Sequence, residues 1–533
     1  TAQFSLTKGM SSGETFKSMN HTDFEKNNTP LLERGTYNKS TGNTMNWSTN
    51  ASINYNLTKD KHLLSMFARW EIAQNQTEGI FLEAKGFPND NMTDFMFAQE
   101  IEKNDVNSNE TTSRSMGLTA TVSYMYDFRY SLDFNLRGDM SSQFGADTKM
   151  KPFWSVGARW NASREKWLEG SFVSNLVLRA SYGITGSQNY DPYQAVEGYS
   201  FEDLMFQYLS SGVIGAELKG FGNPDLDWST TKDFSAAIEL GFFQDRLTAS
   251  VNYYNHYTDQ LLLDNNIAPS TGFPTLMTNI GAISNKGVDV TLGFTPIQDY
   301  ERQIQWNVSI NGNHNSNKVK KISNKIKKVN EENLKNKEKP LPIYEEGKST
   351  TQLFVVRSLG IDPATGNEIF LKRNGERTFF WNANDKVAVG DTEPKFRGGI
   401  TSGLTWKDWS VNLGFTYEFG AYTYNQTLVD RIENVNLLHN ADRRATKDRW
   451  RKPGDIAKYK SIAFSGRTTE LSSRFVQKKN EIAFSSISIG YHFDPKKFGF
   501  LKQCKIAGIN LTGSMQDLGR ISSVKQERGT DYP

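Results

Sequence analysis

Cysteine is almost missing. The 533-residue chain holds one, Cys504, so neither an intrachain disulfide nor a thiolate metal cluster can form. Lys502 and Lys505 beside it would favour a thiolate, but a small residue near the start of a strand is the simpler account. Long apolar runs are missing too. No stretch approaches the roughly 18 apolar residues of a membrane-crossing helix. Apolar residues make up only 37% of the chain and mean hydropathy is −0.60, below the about 45–50% of an ordinary globular protein. Nor is there an excess of charge: 62 basic and 59 acidic residues leave +3, a balance that argues against an electrostatic nucleic-acid footprint. The basic segment 318–338 contains no interleaved aromatics and reads as a solvated loop.

The motifs of catalysis are also absent. His21, His62, His256, His314, His439 and His492 are scattered and form no HxxxH or HExxH metal motif. No P-loop, dinucleotide fingerprint or G-x-S-x-G elbow occurs. Carboxylate pairs such as Glu345–Glu346 stand alone. The sequence implies no cofactor, no metal and no enzyme.

What is present is alternation and aromatics, the latter 12% of the chain. In residues 223–263, Phe234, Ala236, Ile238 and Leu240 alternate with Asp233, Ser235, Ala237 and Glu239. After the turn 241–246, Leu247, Ala249, Val251 and Tyr253 alternate with Thr248, Ser250, Asn252 and Tyr254. Period two means strand, since successive side chains point to opposite faces. Two such runs around a short turn make an antiparallel hairpin. Each is on the order of ten residues, the length a tilted strand needs to cross a bilayer. One face is aliphatic and aromatic, for lipid; the other is polar, for a wet lumen.

The same logic recurs along the chain. Apolar positions alternate over 45–57, 64–72, 116–126, 130–136, 154–160, 176–182, 288–294, 304–310, 400–406, 409–419, 487–493 and 507–511, which with the hairpin gives 14 strands. Short connections (58–61, 127–129, 161–175, 241–246, 296–302, 407–408, 494–503) alternate with longer ones (about 74–113, 187–230, 262–279, 313–397, 421–479). Outer-membrane barrels keep this parity, with short periplasmic turns and longer extracellular loops. A propeller or sandwich has no reason to, and no fixed repeat period is found. The expected fold is all-β, a transmembrane antiparallel β-barrel. A passive porin and a soluble all-β binding protein are the alternatives.

Seven stretches together carry a resemblance: LRASYGITGSQ (178–188), NPDLDWSTTKDF (223–234), DRLTASVNYYNHYTDQLLL (245–263), NIGAISNKGVDVTLGFTP (279–296), GIDPATGNEIF (360–370), GDTEPKFRGGI (390–400) and DRWRKPGD (448–455). In this order the chain resembles the SusC/RagA-type TonB-dependent outer-membrane transporters, strongly over 115–533 and more loosely over 1–114. The resemblance implies a 22-stranded barrel, of which this chain supplies about 14–16 strands. The family's N-terminal plug, its TonB-interacting segment and its final strand are expected to lie outside residues 1–533. It further implies a cell outer membrane of Gram-negative type, a lipid bilayer and lipopolysaccharide around the wall, and a SusD-like surface lipoprotein as cap. TonB would supply the energy, reaching the protein through the part outside this chain. Oligosaccharides or oligopeptides would be the substrates, and a dimer of such pairs the assembly. Substrate contacts are expected in the long loops, on Tyr190, Tyr193, Tyr199 and Phe201 (with Tyr208 nearby), and on Arg431, Asn434, Asn436 and Arg443 (with Arg444).

Overall fold

The computed structural model describes every residue except 102–105, 145–149, 188–191, 203–214, 272, 436–441, 465–467 and 525–533. The chain begins with seven consecutive sheet strands: β1 (Ala2–Lys17), β2 (Thr36–Lys59), β3 (His62–Lys85), β4 (Val106–Tyr126), β5 (Tyr130–Ser141), β6 (Lys151–Asn161) and β7 (Val173–Ser187). A small ladder, β8 (Gly198–Glu202) and β9 (Gly215–Gly220), interrupts them. The sheet resumes with β10 (Ser229–Phe242), β11 (Leu247–Asn266), β12 (Thr275–Asp299) and β13 (Ile304–Lys321). A helix, Asn324–Lys335, and a second ladder follow: β14 (Gln352–Ile361), β15 (Glu368–Leu371), β16 (Arg377–Thr378) and β17 (Lys386–Asp391). The sheet ends with β18 (Phe396–Trp406), β19 (Trp409–Tyr424), β20 (Val476–Phe493) and β21 (Ile509–Ser522).

Fifteen of these strands form one antiparallel meander, in the order β1 to β7, β10 to β13, β18 to β21. Among the described residues β14 to β17 form a separate four-stranded sheet and β8 and β9 a two-stranded one. No described helix is long and apolar enough to cross a membrane.

Every run read from alternation falls in a strand of its own, the last one (507–511) starting two residues later at Ile509, and β1 is added to them. Its apolar positions Phe4, Leu6 and Met10 are interrupted by Lys8, so the period fades. The pairing is still complete, from Ala2↔Ala51 to Lys17↔Thr36. The strands also outrun their apolar segments. Residues 74–113 read as a loop, yet β3 and β4 stay paired as far as Leu82↔Val106. Likewise the connection read over 262–279 shrinks to 267–274 between β11 and β12. Alternation marks only the part of a strand with one apolar face, whereas the backbone ladder continues where both faces are polar. β2 and β3 each have 24 residues. At about 3.3 Å per residue that is roughly 80 Å, well beyond a hydrocarbon core of about 30 Å even at a tilt of about 45°.

The two faces differ as the alternation requires. Ile238 sits opposite Leu178 and Val251, and Ala236 opposite Ala180 and Tyr253. Large apolar side chains on this face are exposed: Ile53 at 74%, Leu511 at 64% and Phe4 at 65%. Phe234 and Leu247 are exposed, while Ile238, Leu240 and Val251 are half-buried; none of the five belongs to a packed interior. An exposed apolar belt of this size needs an apolar surrounding.

At the short-turn rim, non-glycine residues take left-handed backbone. Asp60, Asp127, Phe128, Phe243, Gln244, Asp245, Gln303 and Lys407 all have φ between 50° and 62°. Tight hairpins demand this backbone because its twist matches that of the flanking strands. Neighbouring turns are stapled together. Asp127 N–H bonds Lys61 O at 2.7 Å, Thr295 N–H bonds Arg246 O at 2.7 Å and Lys407 N–H bonds Gln303 O at 2.8 Å. Lys61 and Asp127 add an ion pair at 3.1 Å.

The buried apolar clusters are small and belong to the long-connection end. Leu428, Val429, Ile432, Tyr459 and Phe475 form one, Phe144, Phe153 and Trp228 a second, and Tyr37, Ala84 and Phe87 a third. They pack the loops rather than the wall.

Candidate ligand-binding surface

The polar face of the sheet is laced laterally. Ser123 donates to Asp133 at 2.6 Å, Thr121 to Asn135 at 2.8 Å and Asn135 to Ser155 at 3.2 Å. Arg137 bonds Asp139 and reaches Glu71 at 2.8 Å, and Arg179 pairs with Glu239. Asp233 holds His256 at 2.5 Å and accepts from Thr185 at 3.1 Å. On β13 the face carries asparagine at every second place: Asn311, Asn313, Asn315 and Asn317. Asn313 donates to Asp289 at 2.6 Å, Asn315 to Glu393 at 2.8 Å and Asn317 to Asn285 at 2.7 Å. Such a face stays wetted and offers amide donors and acceptors to anything passing along it. Among the described residues no three His, Cys, Asp or Glu side chains gather as a metal site.

The loop residues read from the sequence part company. Tyr190 and Asn436 lie outside the described residues, as does Tyr208. Phe201 lies in β8, and its side chain is outside the description. Tyr193 is exposed, with a left-handed φ of 72°, and its hydroxyl accepts from Thr112 N–H at 2.9 Å. Tyr199 is exposed and donates to Glu197 at 2.9 Å, a bond that raises the phenol above its ordinary pKa. Arg431 and Arg443 are exposed on the folded connection 425–475. Arg444 instead forks onto Asp442 at 2.6 and 3.0 Å, holding that carboxyl below its usual range. Asn434 is an internal pin: Thr469 donates to its Oδ1 at 2.5 Å.

A buried ionic knot, which no local motif signals, organises this end. Arg474 Nη2 bonds Glu433 Oε1 at 2.7 Å and Glu368 Oε2 at 2.9 Å. Glu433 is fully buried. Burial would lower the Arg474 pKa, but the two carboxylates overcome it and hold the guanidinium above its ordinary value. Ser472 also donates to Glu368, at 2.5 Å. Arg449, 5% exposed, donates to the carbonyls of Ala445 at 2.6 Å and Glu433 at 3.1 Å. Lys386, 1% exposed, caps the end of the helix Asn324–Lys335 by donating to Asn333 O at 3.3 Å and Asn336 O at 2.8 Å. Burial lowers its pKa to about 8. The bonds of Ser472 and Arg474 to Glu368 bind the 425–475 connection to the β14–β17 sheet, while Arg449 ties residues within the connection and Lys386 ties that sheet to the helix. Glu368 and Arg474 lie so far apart in sequence that periodicity could not join them.

Comparison with known proteins agrees with this architecture. The family model for TonB dependent receptor-like, beta-barrel proteins matches residues 2–437. The TonB-dependent receptor P39 of Formosa agariphila is 27% identical over 515 residues, covering 86% of this chain and 48% of that protein. The TonB-dependent receptor SusC of Bacteroides thetaiotaomicron is 26% identical over 378 residues, 68% of this chain and 36% of that protein. The chain thus spans about half the length, or less, of these relatives. Among solved structures, the RagAB peptide transporter superposes with a TM-score of 0.83 at 20% identity, over 98% of this chain and 56% of that one. The open-open state of the RagAB peptide importer gives 0.84 at 20% identity, over 99% and 56%.

Proposed function

Because this chain belongs to the TonB-dependent receptor-like β-barrel family, we propose that it forms the wall of an energised importer. It is a SusC/RagA-type chain of the outer membrane, and its relatives are named receptors and transporters rather than enzymes. In the proposed reading it imports oligosaccharides or oligopeptides with energy delivered by TonB and works beneath a SusD-like surface lipoprotein.

One observation carries the reading: a single fifteen-stranded sheet with an exposed apolar face and a laterally hydrogen-bonded polar face. Such a wall needs no catalytic residue. It needs lipid outside, a polar passage inside and an obstruction that can be moved. The stapled turns would face the periplasm, and the connections 188–228, 322–395 and 425–475 would face outside.

The test is uptake by the whole protein in its native membrane, with fluorescein-labelled maltohexaose and a labelled tryptic casein digest as probes. Uptake that stops with TonB removed, or with the proton gradient collapsed, supports an importer. Conductance and uptake indifferent to both would mean a passive porin. Recovery of the protein in the soluble fraction without detergent would overturn the membrane reading. Protease added to intact cells should cut within 425–475 and spare Lys407–Asp408; the reverse would invert the proposed sidedness.

A further inference from the structure

The charges of β10 to β13 are sorted between the two faces of the sheet. Asp233, Glu239 and Asp289 stand on the polar face. Lys232, Lys286 and Lys318 stand on the other, with Phe234, Val288 and Ile310. Period two fixes this, since each lysine is an even number of residues from the apolar row of its own strand. All three lysines are exposed, and among the described residues none makes an ion pair or a hydrogen bond through Nζ.

The register brings them together. Lys232 pairs with Tyr257, Tyr257 with Ser284 and Ser284 with Lys318, so these four make one row across the four strands. The next row toward the short turns is Phe234, Asn255, Lys286 and Ser316. Lys232 and Lys318 are thus three strand spacings apart, about 14 Å, with Lys286 between them and about 7 Å lower along its strand. Asn255, in the middle of the group, has an Oδ1 without a partner among the described residues. Asp259, one row further out, accepts Gln260 N–H of its own chain at 2.8 Å. Below the lysines the face turns apolar. A row of Leu240, Ala249, Leu292 and Ile310 crosses the same four strands, and Leu292 and Ile310 are exposed.

Unpaired ammonium groups directly above an apolar surface fit an anionic amphiphile, with its head on the cations and its chains on the surface below. Three cations spread over about 14 Å outspan a single phosphodiester, so they match a head group that carries more than one phosphate. Four strands also make a bed wide enough for several acyl chains side by side. We propose that this patch docks the phosphorylated glycolipid of the outer leaflet, lipopolysaccharide, with its phosphates on Lys232, Lys286 and Lys318 and its chains along the apolar rows of β10 to β13. Lysine serves here as a point charge for phosphate. This rests on the membrane reading and its sidedness, which put the long-connection end outside. It concerns the outside of the wall and not the imported substrate.

The test uses the full-length protein in phosphatidylcholine nanodiscs, with fluorescein-labelled lipopolysaccharide as the probe. Lys232→Gln, Lys286→Gln and Lys318→Gln together should weaken binding at least about tenfold, the product of about two- to threefold for each exposed ion pair. Arginine at the same three positions should restore it to within about threefold. Lys166→Gln, Lys496→Gln and Lys502→Gln remove the same charge from the short-turn end and should leave binding within about threefold of wild type. The wild type should bind dephosphorylated lipopolysaccharide at least about tenfold more weakly, a comparison that needs no variant to fold. Equal binding by the glutamine variant and wild type, an equal loss in the short-turn control, or indifference to the phosphates overturns the proposal. So does displacement of the probe by phosphatidylglycerol as readily as by unlabelled lipopolysaccharide, which would make the patch an anchor for any anionic lipid. Energised uptake of maltohexaose or the casein digest that persists through such a failure leaves the importer standing. Phosphate-dependent binding without energised uptake of either probe would instead defeat the importer reading and uphold the lipid site.

Discussion

Arg474 bonds Glu368 across 106 positions of sequence, Nη2 to Oε2 at 2.9 Å. The same nitrogen holds Glu433 at 2.7 Å. One guanidinium thus ties the 425–475 connection to the β14–β17 sheet, and both carboxylates depend on it. Arg474→Met would leave two buried carboxylates without their cation, at a cost of about 3–5 kcal/mol to the loop assembly. The expected readout is a lower urea midpoint for proteolysis within 425–475 in the detergent-solubilised protein. Adding Glu368→Gln and Glu433→Gln should recover most of the loss; no recovery would mean that packing, not charge, holds the loop.

Lys386 sets a pH dependence of the same region. Burial depresses its folded-state pKa to about 8 from an ordinary 10.5. Below pH 8 the ammonium is charged both folded and unfolded, so the cost of burying it is present in full. Between pH 8 and 10.5 the unfolded chain holds the proton and the folded one does not, so stability rises with pH. The resistance of the β14–β17 sheet to proteolysis in urea should therefore increase from pH 7.5 to pH 10. Lys386→Met should remove that slope. A slope unchanged in the variant would assign it to other groups.

The two faces of β10 can be read one residue at a time. With Cys504→Ala as background, single cysteines at Asp233, Ser235 and Glu239 should react with a water-soluble maleimide in the bilayer-embedded protein. Cysteines at Phe234, Ala236, Ile238 and Leu240 should stay unlabelled until detergent replaces lipid. Equal labelling at both parities would contradict the assignment of the apolar face to lipid.

Gln303 holds φ at 52° in the turn between β12 and β13, where glycine would sit without its Cβ penalty. Gln303→Gly should stabilise the wall by about 0.5–1 kcal/mol, the left-handed cost less glycine's added chain entropy. Its backbone carbonyl still receives Lys407 N–H. Urea-induced loss of the heat-modifiable gel shift would show it. A lower midpoint would place the entropy term above the strain.

Legibility followed the solvent boundary. Phe234 to Leu240 could be placed on one face because lipid and water impose period two on them. The polar reaches of β3 and β4, such as Gln76 to Gly79 and Asn107 to Thr112, carry no such imprint and were read as loop. β1 escaped because Lys8 and two glycines, Gly9 and Gly13, blur its apolar row. In the loops the sequence offers composition but no register. It pointed to Asn434 as a candidate ligand group and could not show that Thr469, 35 residues on, donates to its side chain. Glu433 and Arg474 gave no signal, because an ion pair between distant segments exists only once the loops have folded.

The meander has a consequence for how the wall assembles. Every sheet strand pairs with the next sheet strand along the chain, so each addition needs only the hairpin before it. Most such closures span a turn or a modest loop. Three cross the longer connections 188–228, 322–395 and 425–475. Closure entropy grows only logarithmically, about 0.6 kcal/mol for each doubling of loop length, so these joints slow the zipper without stopping it. Growth should pause at the β13–β18 joint, after which the loop sheet can fold over a seam already closed.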